Sequence, residues 1–486
     1  MKIFKQILFY IVILLSLTII ADCQLFATDD WTYSSDKIFE IPEGPDFLRI
    51  GYTDDQVVTI SNGPTFLKSI SRNMKSPGYW VSKIKNPDKT ILSYNEISVI
   101  NNKILSNGIS LNDVINYPDS VRKISFQKQS NQIYRIFTGR KYLDSSLKII
   151  QQDTLNKIKK NIKINSSGKY LKIKFALTIK YSDVRLLPTD ITFLYDKETF
   201  DIDRLQVAGL DLGEPLIVLT QTKDKKWTYV ISSISEGWIK TQDIAFTDRK
   251  TISKWYNPKT FIVVINTKAD IFLDKERSKY HDYIRMSTKL PLIKTFNYQT
   301  TCIKIPMANK KGNLFFTEAY INTSDINIGF LKYNQRNVIY QAFKHLNSPY
   351  GWGGYSGEQD CSTFVRQLFG CFGFIMPRNS SNQKKCGINP VQINLTDSDY
   401  IKTNKIVKNA ISGISLLYLP GHIMIYIGSE NGTPYVIHSI WGTENYNKDG
   451  RTINFINRIV VSNLSIGDGT QKGSLLKRIA HLNIIK

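Results

Sequence analysis

Cys361 stands in "YGWGGYSGEQDCSTFV" (residues 350–365), where a glycine-and-aromatic run ends and a helical apolar pattern begins. Phe364, Val365, Leu368 and Phe369 share one face of that helix, and Asp360 suits its N-cap, which puts Cys361 in the first turn. Unpaired backbone N–H groups and the helix dipole favour a thiolate there, and a thiolate is a nucleophile. Gly351, Gly353 and Gly354 let the backbone turn tightly just before it. Taken alone, a cysteine in this position is more often a small buried side chain.

A thiol nucleophile needs a base, and the chain has five histidines. His281 falls in a strand-rich stretch, His345 on a helix and His481 near the C-terminus. His422 in "GHIMIYIG" and His438 in "PYVIHSIWG" flank the turn "SENGT", so both sit on one β-hairpin. Alternation places His422, Met424 and Tyr426 on one face of the first strand and Ile423, Ile425 and Ile427 on the other. His422 at the strand start suits a general base for Cys361, with His438 orienting its imidazole. The same three side chains are zinc ligands, but no fourth ligand or short-range ligand pair accompanies them, so no metal or other cofactor is expected.

The elements that must hold these groups fall into blocks. Residues 24–166 read as a mixed, largely helical domain, with helical spacing of apolar residues over "SLKIIQQDTLNKIKKNI" (146–162). From about Lys169 the period changes to two. "YLKIKFALTI", "PLIVLTQT" and "KWTYVIS" read as strands, the last two joined at Lys223-Asp224-Lys225. Short strands at this spacing suggest a small barrel over 167–248, similar to a bacterial SH3-like barrel, with "VRLLPTD" (184–190) near its start. A second, more diverged barrel is expected over 249–325. From 326 to 486 a helix with Val338, Ile339, Ala342, Phe343 and Leu346 on one face comes first and strands follow, an α+β order.

With 486 residues the chain is too long for one core. Its net charge of +23 admits an anionic partner, but the lysines are scattered and the composition is rich in Lys, Asn and Ile throughout. No compact basic stripe supports a nucleic-acid partner. Lys2 and Lys5 precede an apolar run from Ile7 to Ala21, which suits a signal peptide over residues 1–23 and export to the periplasm or cell envelope. An uncleaved anchor is the alternative. Cys23 offers a site for lipid attachment and membrane anchoring, although Asp22 replaces the small residue usual before a lipidated cysteine. Five cysteines make no disulfide framework; Cys371 and Cys386 are either a pair or ordinary buried thiols.

Together, "YGWGG…DCS", "GHIMIYIG" and "VIHSIWG" resemble the NlpC/P60 family of cell-wall cysteine peptidases, and "PRNSSNQ" (377–383) fits as well. The resemblance covers roughly residues 326–486. It implies a papain-like C-terminal domain, and the upstream blocks resemble a branch of the family with an N-terminal stabilising domain and two SH3-like barrels. It implies hydrolysis of peptidoglycan stem peptides, typically between γ-D-glutamate and diaminopimelate. Cys361 takes the place of the nucleophile, His422 of the base and His438 of the orienting third member; Tyr350, Asp360 and Ser362 match positions that bind or shape the substrate site in relatives. Gly413-Ile414 replaces the family's usual Gly-Asp, and Gly353-Gly354-Tyr355-Ser356-Gly357 is an unusual loop, so substrate preference is not carried over. A degenerate wall-binding protein, or an amidase or acyltransferase using the same Cys–His pair, are the alternatives. Oligomeric state is not legible.

Overall fold

The computed structural model describes residues 58–61, 67, 70–106, 111–162, 168–296, 298–447 and 450–486. The apolar run and Cys23, on which the expectations of export and lipidation rest, lie outside the described residues.

Helices at Tyr94–Ser106, Lys123–Thr138 and Gln152–Asn161 dominate the N-terminal part. Each buries one stripe: Ile97 and Ile104; Phe126, Ile133 and Phe137; Leu155 and Ile158. The third helix is shorter than the apolar pattern over 146–162 implies. The Asp144 carboxylate accepts the N–H groups of Ser146 and Lys148 at 2.8 and 3.0 Å, and Leu147 has φ 61°. This turn holds the chain out of the helix until Gln152.

Among the described residues, seven strands form the first barrel sheet, in the order Ile244–Thr247, Lys174–Thr178, Pro215–Gln221, Trp227–Ile231, Glu236–Lys240, Ser182–Arg185, Gln206–Leu210. Ser182–Arg185, near "VRLLPTD", is therefore not its opening strand. Tyr170–Lys172 departs from expectation by pairing with Ser120–Arg122 of the helical domain. Val121 and Leu171 from that ribbon are buried with Phe175, Ile217 and Tyr229, so burial joins the two blocks. The helix Arg249–Tyr256, capped by Asp248, leads into the second barrel and anchors Trp255, whose indole N–H donates to Gly213 O at 2.7 Å.

The second barrel sheet also has seven strands among the described residues. Its last strand, Ile326–Ile328, pairs antiparallel with Phe261–Val264, which moves the boundary past residue 325. Local sequence favours a strand there, but only the long-range register shows which sheet owns it.

The C-terminal domain follows with helices α1 (Gln335–Lys344) and α2 (Cys361–Gly370) and strands β1 (Ser415–Leu419), β2 (His422–Glu430), β3 (Thr433–Asn447), β4 (Gly450–Asn463) and β5 (His481–Ile484). The sheet order is β4, β3, β2, β1, β5, with Val58–Ser61 added parallel to the outer side of β4. That extra strand places part of the N-terminal block in the C-terminal sheet. Asn431 (φ 48°) and Gly432 (φ 76°) close the β2–β3 hairpin, and both left-handed residues suit the tight two-residue turn between Glu430 and Thr433. Phe364, Val365, Leu368 and Phe369 of α2 share a core with Ile423, Ile425, Ile427 and Ile437. Met424 and Tyr426, on the other face of β2, pack with Ile406 of the helix Asp399–Asn409. β2 is thus sandwiched, and the predicted alternation is the reason.

Candidate active site

Asp360 caps α2 by accepting the Thr363 N–H at 2.8 Å. Its carboxylate also takes the Gly353 N–H at 3.2 Å and pairs with Arg378 Nη2 at 2.5 Å. Ser362 Oγ donates to Asp360 at 3.1 Å and accepts from Arg378 Nη1 at 2.7 Å. Burial alone pushes this carboxyl up, but Arg378 and the Thr363 N–H outweigh it and hold it below the usual range. Asp360 and Ser362, read from sequence as substrate contacts, are both buried and bonded inward, behind Cys361. Arg378, in the quoted "PRNSSNQ", is the partner that the sequence did not single out.

Both barrels hold the loop that precedes Cys361. Gly353 and Gly354 have φ of 65° and 84°, and an added Cβ would lie 2.6 Å from Gln206 Cγ and 2.9 Å from Gly209 N respectively. Glycine is required there for conformation and for space. Gln206 Nε2 donates to Gly353 O at 3.3 Å, and Tyr181 Oη donates to Gly354 O. From the second barrel, Lys268 Nζ pairs with Glu358 at 2.6 Å. At the far end of the β3–β4 hairpin, Trp441 donates its indole N–H to Asp201 at 2.9 Å and Arg451 pairs with Asp196 at 3.1 Å.

Cys361, 8% exposed, and His422 line one cavity of about 60 Å³. Its walls include Tyr350, Ser439, Trp441 and Arg478. Of the three substrate-contact positions expected from sequence, Tyr350 alone lines it. His422 Nε2 lies 2.7 Å from His438 Nδ1, and His438 Nε2 lies 3.0 Å from Ser462 Oγ. The structure therefore brings Cys361, His422 and His438 to one place. It adds Ser462, whose signal in the sequence was no more than a hydroxyl at the end of the apolar run "RIVVS" in β4.

The thiol differs from expectation. Burial, and then the charge of Asp360, push the Cys361 pKa up to about 12, against backbone N–H groups of Ile423 and Ser362 that lower it. The helix start is real, but in a dehydrated pocket desolvation outweighs the dipole. Burial also holds His422 well below its usual value, with help from the fields of His438 and Arg478, and takes His438 down to about 3. The resting pair is accordingly a neutral thiol and a neutral imidazole. Cys302, Cys361, Cys371 and Cys386 are all free and buried, which resolves Cys371 and Cys386 as separate thiols.

Residues 347–449 match the family model described as NlpC/P60 family. The C-terminal domain is an NlpC/P60 domain. Its family is one of peptidases, and residues 193–240, in the first barrel, match the model of an SH3 domain of SH3b1 type. Among curated proteins the chain is similar to the gamma-D-glutamyl-L-lysine dipeptidyl-peptidase of Bacillus subtilis (strain 168), 30% identical over 132 residues. That match takes in 25% of this chain and 41% of the relative, so the chain spans about two fifths of the relative's length. Among solved structures, an NlpC/P60 endopeptidase from Photobacterium damselae subsp. piscicida superposes with a TM-score of 0.67 at 20% identity, over 84% of this chain and 96% of that one. The fold carrying the NlpC/P60 domain is thus shared over most of the chain.

Proposed function

We propose that this protein is an exported peptidoglycan hydrolase, a cysteine endopeptidase that cleaves stem peptides at the γ-D-glutamyl–diaminopimelate bond. The observation that carries the reading is the shared cavity of Cys361 and His422, with His422 backed by His438 at 2.7 Å. The γ-D-glutamyl part is supported by the Bacillus relative, named as a gamma-D-glutamyl-L-lysine dipeptidyl-peptidase. Export rests on the basic start and the apolar run Ile7–Ala21.

In this mechanism His422 keeps its proton on Nε2, donates it to His438 Nδ1, and is left with a lone pair on Nδ1. His438 then carries its proton on Nε2 and donates to Ser462 Oγ. Cys361 gives its thiol proton to His422 as Sγ attacks the scissile carbonyl carbon. The Cys361 backbone N–H, at the open start of α2, is a donor for the oxyanion. The tetrahedral intermediate collapses, the C–N bond breaks, and the imidazolium returns the proton to the leaving amine. A water, deprotonated by His422, then hydrolyses the thioester and restores the thiol. Burial makes the thiolate–imidazolium pair costly to form, the attraction between its charges in a dry site offsets part of that cost, and proton transfer therefore accompanies the attack on the carbonyl.

Mass spectrometry of defined stem peptides incubated with purified protein tests the reading. It expects a product pair split at the γ-glutamyl bond. Release of an intact stem from its glycan would instead favour an amidase, and no turnover with retained wall binding would favour a degenerate binding protein.

A further inference from the structure

Ser439 follows His438 on β3, and consecutive side chains of a strand point to opposite faces of its sheet. The packing on either side shows this alternation. Val436 joins Met424 and Tyr426 on one face, and Ile437 joins Phe364 and Val365 of α2 on the other. His438 accordingly meets His422, whereas Ser439 Oγ donates to Gln359 O at 2.7 Å. Gln359 lies two residues before Cys361 and next to the Asp360 cap. Its carbonyl also accepts the Gly351 N–H at 3.2 Å, which closes the loop 351–359 ahead of α2. Ser439 and Gln359 are both buried. β3 is held on both edges, Ile437 pairing with Ile425 of β2 and Ser439 with Ile459 of β4.

We infer that Ser439 is a positioning residue that ties the nucleophile's loop to the strand carrying the base's partner, and so sets the separation of Cys361 from His422. The inference rests on the reading of Cys361 and His422 as nucleophile and base. Two consecutive residues of one paired strand hold the two halves of the site. His438 holds the imidazole, and Ser439 holds the backbone from which α2 starts. Any slip of the loop against β3 therefore passes to the thiol–imidazole distance, on which proton transfer depends steeply. The Ser439 hydroxyl commits its hydrogen to Gln359, so it offers a substrate in the cavity no donor. Without that hydroxyl the Gln359 carbonyl keeps the Gly351 N–H, so no buried acceptor is stranded and alignment is what loosens.

Steady-state kinetics of Ser439→Ala on a γ-D-glutamyl–diaminopimelate peptide test this. The expected result is a fall in kcat of about tenfold to a hundredfold, with KM changed by less than about threefold. A double-mutant cycle separates alignment from packing. In a His438→Ala background, where His422 has already lost its orientation, Ser439→Ala costs less than about threefold in kcat. A kcat within about threefold of wild type, a loss carried mainly by KM, or the full loss repeated in the His438→Ala background overturns the inference and leaves the catalytic reading intact. Should the wild type cleave no peptide, the catalytic reading fails, and alkylation of Cys361 by iodoacetamide, followed by peptide mass spectrometry, decides the positioning. Slower labelling in Ser439→Ala than in wild type, with no difference once His422→Ala removes the imidazole, supports it. Equal or faster labelling, or a difference that persists without His422, refutes it.

Discussion

His422 Nε2 sits 2.7 Å from His438 Nδ1, and this contact uses one imidazole nitrogen and leaves the other for the thiol. His438→Ala removes the acceptor and frees His422 to rotate or change tautomer. A fall in kcat of about a hundredfold to ten-thousandfold is expected, with KM changed much less. Stopped-assay kinetics on a stem peptide check it. A loss below threefold would mean that His438 merely fills space.

Ser462 extends the same line. Ser462→Ala leaves the His438 Nε2–H without its partner in a fully buried place, which costs about 1–3 kcal/mol of stability. It also removes the bias toward the productive tautomer, so kcat falls more than packing loss alone explains, while Ser462→Thr restores most of it. Nitrogen-15 shifts of His438 in a Cys361→Ala background report the tautomer directly. An unchanged tautomer in Ser462→Ala contradicts the role.

The pH dependence has a definite sign. His345 and His438 are fully buried, and burial takes each from 6.5 down to about 3. The unfolded chain binds protons between those values that the native chain refuses. Their contribution to stability is therefore complete above pH 6.5 and is lost as pH falls from 6.5 toward 3, at up to about 1.4 kcal/mol per pH unit for each histidine. Thermal unfolding followed across this window checks it. His438→Gln, which does not titrate, should flatten the slope.

Arg378 and Asp360 form a buried pair at 2.5 Å beneath Cys361. Arg378→Ala strands a buried carboxylate, so it destabilises by about 3–5 kcal/mol. Activity should fall because Asp360 and Ser362, on either side of Cys361, lose the guanidinium that fixes them, even in the fraction that stays folded. Chemical denaturation of the variant measures the first effect. A change under 1 kcal/mol would show that water reaches Asp360 and replaces the guanidinium.

Much of this site was legible because its signals are local. The helical face Phe364–Phe369, the cap Asp360 and the alternation around His422 are short-range patterns, and the hairpin turn Asn431-Gly432 fixes which strands are neighbours. What escaped depends on contacts between distant segments. Val58–Ser61 joins β4 and Ile326–Ile328 joins Phe261–Val264, and no periodicity within either segment names its partner. Ser462 and Arg478 reach the site through the register of β4 and a short helix near the C-terminus. The raised thiol pKa was missed for a different reason: the sequence shows the helix start and not how dry the pocket around it is.

The central claim is that Cys361 is the nucleophile of a stem-peptide hydrolase. Intact-protein mass spectrometry during turnover of a γ-D-glutamyl–diaminopimelate peptide tests it most directly. The account predicts an adduct on Cys361 equal in mass to the acyl fragment, decaying as product forms, and neither adduct nor product with Cys361→Ala. Product formed by Cys361→Ala at the wild-type rate contradicts it.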